Sequence, residues 1–253
     1  MSFSTAGLTD VGRKREHNED ALLVAPEHGL IVVADGMGGH QAGEVASNIA
    51  VTMLAELFER FAEDPEVTWP HPLDHRYDAA ANRLLAALQL ANAKIHESAH
   101  EEGKQGMGTT CVALLVDKAH AWVAWVGDSR GYLWREGALQ QVTSDHSLFG
   151  ELVRSGHLKP ADLATFPHKN VITRALGMAA TVEIDLVRVD LQDGDILLAC
   201  SDGLSGMVDD EDIAARLSRE VPLDDACREL IDAANSAGGI DNVTVALARY
   251  QAS

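Results

Sequence analysis

Leu30-Ile31-Val32-Val33-Ala34-Asp35-Gly36-Met37-Gly38-Gly39-His40 is the stretch from which the fold can be read. Five apolar residues, three of them β-branched, run straight into an aspartate, a glycine-rich turn and a helical pattern from Gly43. Such a run is a strand's length, and β-branched side chains suit a buried strand. The glycines at 36, 38 and 39 let the chain turn sharply and approach a ligand closely. An aspartate there is either an ordinary turn residue or one member of a ligand site. The stretch alone does not separate the two readings.

Working outward, Ala21-Leu22-Leu23-Val24 and the turn Pro26-Glu27-His28-Gly29 precede it, which makes a hairpin pattern. Residues 3–11 alternate loosely, as a strand would, and residues 10–20 are densely charged with both signs. The charged segment therefore lies one strand away from Asp35. Downstream, apolar residues recur at helical spacing over residues 43–61 and again over 79–99. Between them, Pro65, Pro70 and Pro72 mark residues 62–78 as a long surface loop, either idle or a docking surface. Strands are expected at 110–116, 121–126 and 132–134, a helix at 145–156, and an irregular segment at 157–180. A strand pattern at 182–189, another at 196–201, helices at 210–217 and 223–237, and a strand at 243–248 complete the chain. Short antiparallel connections mixed with a few helices point to an α+β fold with helices packed on sheets.

Lys and Arg number 20 against 39 Asp and Glu, a net charge of −19 over 253 residues. That balance argues against sequence-independent nucleic-acid binding, which needs clustered cations, and it would tolerate divalent cations well. Apolar residues make up 46 %, enough for a real core. Cys111, Cys200 and Cys227 are far apart and form no CxxC pair, so buried thiols in a reducing compartment are expected. The sequence shows neither a signal peptide nor a run of membrane-spanning length, and a cytoplasmic monomer is expected.

Four aspartates share one context. Asp35, Asp128 and Asp202 each close an apolar run, and Asp241 opens one at Val243. Singly, each reads as a turn residue. Together, with one polarity, they would repel one another unless a positive charge sat between them. Hard cations that take oxygen ligands meet that need. No His or Cys cluster has zinc-ligand spacing, and the aspartates are spread too widely for a single calcium loop. Arg15 is the obvious cation near Asp35; it could hold two phosphate oxygens, or simply pair with Glu16 or Glu19. His40, in the glycine-rich turn, could donate a proton or merely be exposed.

Seven motifs in order then carry a resemblance: Arg15-Glu16-His17-Asn18-Glu19-Asp20, Asp35-Gly36-Met37-Gly38-Gly39-His40, Gly108-Thr109-Thr110, Gly127-Asp128-Ser129-Arg130, Thr143-Ser144-Asp145-His146-Ser147, Ser201-Asp202-Gly203-Leu204 and Asp241-Asn242-Val243-Thr244. Spread over nearly the whole chain, they resemble the motif set of the bacterial metal-dependent protein phosphatases (PPM, type 2C). The resemblance implies one domain over residues 1–253, a four-layer α-β-β-α sandwich of two antiparallel sheets flanked by helices, and a flap at about 145–173. It implies two Mn²⁺ or Mg²⁺ ions and a third, weaker one. Asp35 would bridge the two, the Gly36 carbonyl would bind one, and Asp202 and Asp241 would complete the second. Asp128 with Asp202 would hold the third ion, Asp20 would orient the attacking water, and Arg15 would hold the substrate phosphate.

The implied activity is hydrolysis of phosphoserine and phosphothreonine by a metal-activated water, opposing a bacterial serine/threonine kinase. Phosphorylated proteins, including that kinase or its substrates, would be the partners. Many eukaryotic members carry a His where this chain has Met37, which leaves the general acid open between His40 and a metal-bound water. Two other readings are a metal-binding module that holds phosphoproteins without turnover, and a phosphatase for small phosphate esters. Intact Asp35, Asp202, Asp241 and Arg15 argue against the first.

Overall fold

The computed structural model describes residues 2–38, 42–64, 74–100, 106–159, 161–162, 166–168 and 171–252. Gly39, His40 and residues 65–73 of the proline-rich stretch lie outside these.

The apolar run at 30–34 is explained by what covers it. In β3 (Leu30–Met37), Leu30, Val32 and Ala34 pack into a cluster with two long helices, while Ile31 and Val33 pack between two sheets. A strand covered on both faces needs an apolar residue at every position, so it reads as a continuous run and not as an alternation. The strand also continues past Asp35, because Gly36 pairs with Thr109 and Met37 with Gly108 of the two-residue β4 (Gly108–Thr109). The glycine-rich turn therefore begins two residues later than the sequence suggests.

One sheet runs in the order β2 (Asp20–Ala25), β3, β5 (Cys111–Asp117), β6 (His120–Val126), β9 (Asp185–Asp190). The other runs β1 (Ser2–Asp10), β11 (Val243–Gln251), β10 (Ile196–Cys200), β7 (Arg130–Arg135), β8 (Ala138–Gln141). Every pairing is antiparallel. α1 (Ala42–Glu63) and α2 (Ala79–Ser98) cover the first sheet, and α5 (Asp210–Leu217) and α6 (Leu223–Ser236) cover the second. Three apolar clusters fill the three spaces between these four layers. The molecule is the α-β-β-α sandwich of an α+β protein.

Local chemistry sets the helix bounds. α2 begins where the Asp78 side chain accepts the Ala81 amide, and α5 begins where Asp209 accepts that of Asp212. α3 (Leu148–Arg154) starts three residues later than the expected 145, because Ser147 is the cap and accepts the Gly150 amide. β9 starts at Asp185 and not at residue 182; Val182 and Ile184 still pack toward the helical layer. All three cysteines are free and buried, and burial pushes each thiol up to about 12.

Candidate metal centre

The topology gathers the aspartates at one end of both sheets. Asp20 faces Asp35 across the β2–β3 ladder. Asp128 lies in the turn where the chain leaves β6 in one sheet for β7 in the other. Asp202 opens the short α4 (Asp202–Ser205) straight after β10, and Asp241 lies two residues before β11, the neighbour of β10.

Hydroxyls and amides hold this end together. Asp20 Oδ2 accepts from Ser201 Oγ at 2.7 Å and from Thr244 Oγ1 at 2.6 Å. Thr110 bonds to the Asp35 backbone on both sides: its amide donates to the Asp35 carbonyl at 2.8 Å and its Oγ1 accepts the Asp35 amide at 3.1 Å. Asn242 pins the charged segment. Its Oδ1 accepts the Glu19 amide, and its Nδ2 donates to the carbonyls of Val11 and His17. Arg15 Nη2 donates to Asp241 Oδ2 at 2.7 Å and lies 3.9 Å from Glu19. Gly36 is required by close approach: a Cβ there would run into the backbone carbonyls of Gly43 and Glu19.

These carboxylates are uncomfortable together as anions. Burial, and then Asp20, Asp202, Asp128 and Asp241, hold Asp35 well above its ordinary range. Burial lifts Asp20 to about 7 against the pull of its Thr244 and Ser201 hydrogen bonds. Burial and the neighbouring Asp202 lift Asp128 to about 7. Asp202 is raised by burial and by Asp241, although a hydrogen bond with Asp35 opposes that. Glu19 is raised as well, mainly by burial. Asp128 Oδ1 is buried and has no hydrogen-bond partner among the described residues. Crowded oxygen donors with one atom orphaned fit hard divalent cations, whose charge would offset the mutual repulsion.

Beside the cluster opens a cavity of about 480 Å³, lined by Asp128 and Asp202 together with Thr143, Phe149 and Arg154 of the 145–173 region and its approach. The family model for protein phosphatase 2C matches residues 11–247. The chain belongs to the protein phosphatase 2C family. As a protein phosphatase 2C it is a phosphoprotein phosphatase. It is 41 % identical over 248 residues to the serine/threonine phosphatase stp of Listeria welshimeri serovar 6b, covering 94 % of this chain and 92 % of that protein. The crystal structure of the Mycobacterium tuberculosis serine/threonine phosphatase PstP/Ppp superimposes with a TM-score of 0.87 at 35 % identity, over 100 % of both chains. A PstP catalytic domain in complex with two manganese ions gives a TM-score of 0.83 at 35 % identity over 99 % of both chains.

Of the residues expected from sequence, this protein phosphatase 2C chain brings Asp20, Asp35, Asp128, Asp202 and Asp241 together, with Gly36 next to Asp35 and Arg15 on Asp241. His40 lies outside the described residues. The sequence reading gives Glu19 only as a partner for Arg15 and assigns no part to Thr110, Ser201, Asn242 or Thr244, although all stand within the quoted motifs. Adjacency to Asp20, Asp202 and Asp241 was the available signal for Glu19, Ser201 and Asn242. A separate group, Asp78, Asp117 and His120, brings ligand atoms within 4.8 Å of one another at the opposite end of β5 from Thr110. There the Asp78 carboxylate already caps α2 and accepts from Trp122 Nε1, with His120 Nε2 at 3.4 Å.

Proposed function

We propose that this phosphatase hydrolyses phosphoserine and phosphothreonine in proteins, with two divalent cations, Mn²⁺ or Mg²⁺, held by Asp35, the Gly36 carbonyl, Asp202 and Asp241. The observation that carries this reading is the group of buried carboxylates that burial and mutual repulsion keep from ionising freely. Relatives described as serine/threonine phosphatases, one with two manganese ions, support it. Bound there, such ions supply a water nucleophile at neutral pH and offset charge on the transferred phosphoryl group.

The chain's own residues would then divide the work. Asp20, fixed by Ser201 and Thr244, accepts a hydrogen bond from the attacking water and sets its direction. Arg15 turns from Asp241 to the phosphate, a shift its half-exposed side chain permits. Asp128 with Asp202, both lining the cavity, would hold a third, weaker ion. The leaving alkoxide would take its proton from His40 or from a metal-bound water, since Met37 cannot supply one.

The substrate would be a protein phosphorylated by a cognate serine/threonine kinase, and the enzyme a cytoplasmic signalling monomer. We take residues 1–253 as one phosphatase domain with its flap at about 145–173. The −19 charge speaks against nucleic acid as a partner. No helix among the described residues is long and apolar enough to cross a membrane.

The test is release of phosphate from a phosphothreonine peptide after chelation with EDTA, with Mn²⁺ or Mg²⁺ restored, beside Asp35→Ala and Asp202→Ala. Metal-dependent turnover lost in both variants is the expected result. A wild-type protein that binds the peptide but never turns it over would leave only a binding module.

A further inference from the structure

Gly127, the residue before Asp128, has both of its backbone polar groups bonded to one residue. Its amide donates to His146 Nδ1 at 3.0 Å, and its carbonyl accepts the His146 amide at 2.9 Å. Gly127 has φ +107, and a Cβ there would press on Thr110, so only glycine supports this conformation. The backbone that aims Asp128 is therefore set by whatever holds Gly127.

We propose that His146 is a positioning residue that holds the Asp128 carboxylate toward the metal centre and ties it to the root of the flap. This rests on the metal-dependent phosphatase reading above. Because Nδ1 accepts an amide, the neutral ring carries its proton on Nε2, which faces Asp185 Oδ2 at 3.4 Å. Arg174 lies beside Nε2 and is itself held by Asp185 Oδ1 at 2.8 Å. Burial and then the Arg174 charge keep His146 below the usual histidine range, so the ring is neutral and free to accept. It is 2 % exposed and stacks on Trp125 with centroids 6.1 Å apart and planes inclined at 19°. Trp125 Nε1 in turn donates to the Ser144 carbonyl at 2.9 Å.

The other side of His146 belongs to the flap. Its carbonyl accepts the Thr173 amide at 2.8 Å, Ser147 bridges to Ile172, and the Leu148 amide donates to Val171. The two ends of the flap are thus joined at this residue, and the joint is bonded directly to the turn that presents Asp128. Asp128 Oδ1 has no hydrogen-bond partner among the described residues, so the carboxylate takes its direction from the backbone beneath it. Outer partners of this kind commonly change metal affinity or activity by about 10–100-fold when lost.

The experiment compares His146→Ala and His146→Asn, each alone and combined with Asp128→Asn. The amide oxygen of His146→Asn can still accept the Gly127 amide. Mn²⁺ binding is followed by titration calorimetry, and kcat and KM are measured separately on a phosphothreonine peptide. His146→Ala should weaken the weakest Mn²⁺ site about tenfold and act on kcat more than on KM. His146→Asn should recover most of the loss, and in the Asp128→Asn background His146→Ala should cost nothing more. Effects of His146→Ala and Asp128→Asn that multiply would overturn the proposal, as would unchanged Mn²⁺ binding in folded His146→Ala. If His146→Ala does not fold, the Asn variant decides: Mn²⁺ binding near wild type supports the clamp, and a loss as deep as that of Asp128→Asn refutes it. A wild type without turnover would defeat the phosphatase reading alone, because the calorimetry still judges His146.

Discussion

Asp20 and Asp35 are direct cross-strand partners, one residue of β2 against one of β3. Like charges set directly opposite in a sheet destabilise it. Here the pair is also buried beside Asp202, and both members sit above their ordinary range.

The metal-free protein should therefore lose stability as pH rises. Asp20 and Asp128 go from 3.8 when unfolded to about 7 when folded. The folded state holds protons that the unfolded state has released, so stability is greatest below about pH 4 for these groups and falls as pH climbs through 7. The loss is on the order of a few kcal/mol in total. Calorimetric Tm values in EDTA between pH 5 and 8 should fall, and Mn²⁺ should restore them at pH 8. A Tm that climbed over that range without metal would contradict the charge balance described for the centre.

Removing the two hydroxyls that hold Asp20 should shift chemistry before it removes the fold. Ser201 and Thr244 both donate to Asp20 Oδ2 and favour its ionised form. In Ser201→Ala or Thr244→Val the carboxyl keeps its proton to higher pH. The acid limb of the kcat profile should move upward, with about 1–3 kcal/mol of stability lost. An unmoved acid limb would detach Asp20 from the rate.

Gly36→Ala should be among the most damaging single-methyl additions. The new Cβ would meet two backbone carbonyls, those of Gly43 and Glu19, neither of which can rotate away. Overpacking of this kind costs about 1–3 kcal/mol or more, and here it would separate the start of α1 from β3. Urea unfolding would register the loss directly; a midpoint equal to wild type would contradict the packing.

Arg130 is expected to anchor the flap and not the substrate. It makes a forked ion pair to Asp145, with Nη2 at 2.8 Å, and reaches Tyr132 Oη at 3.1 Å. Arg130→Met leaves Asp145 without its charged partner and with only the Gln141 side-chain amide donating at 2.9 Å, at a cost of about 3–5 kcal/mol for a largely buried pair. Limited proteolysis should cut residues 155–159 sooner in that variant. Wild-type cleavage kinetics would show the anchor to be dispensable.

The sequence carried the fold where burial is two-sided or strictly periodic. Ile31, Val32 and Val33 read as a strand because both faces are covered, and Leu54, Leu57 and Phe61 read as a helix because only one is. Asp35, Asp128, Asp202 and Asp241 were legible because each borders an apolar run. The bonds of Asp20 were not, because its partners Ser201 and Thr244 are 181 and 224 residues away in sequence. β8 was missed since it has four residues, two of them Gln, and alternates between exposed and half-buried. The overrun of β3 past Asp35 was hidden because its partner β4 is only two residues long.

β11 lies between β1 and β10, so the most C-terminal of the described strands fills the gap beside the most N-terminal one. Until it arrives, Asp20 lacks the Thr244 hydroxyl and the cluster lacks Asp241. One strand thus completes both the sheet and the acidic cluster. A chain cut before Asp241 would keep the residues of every described helix and of the whole β2-β3-β5-β6-β9 sheet, yet would lose one acid of the cluster and a hydroxyl that holds another.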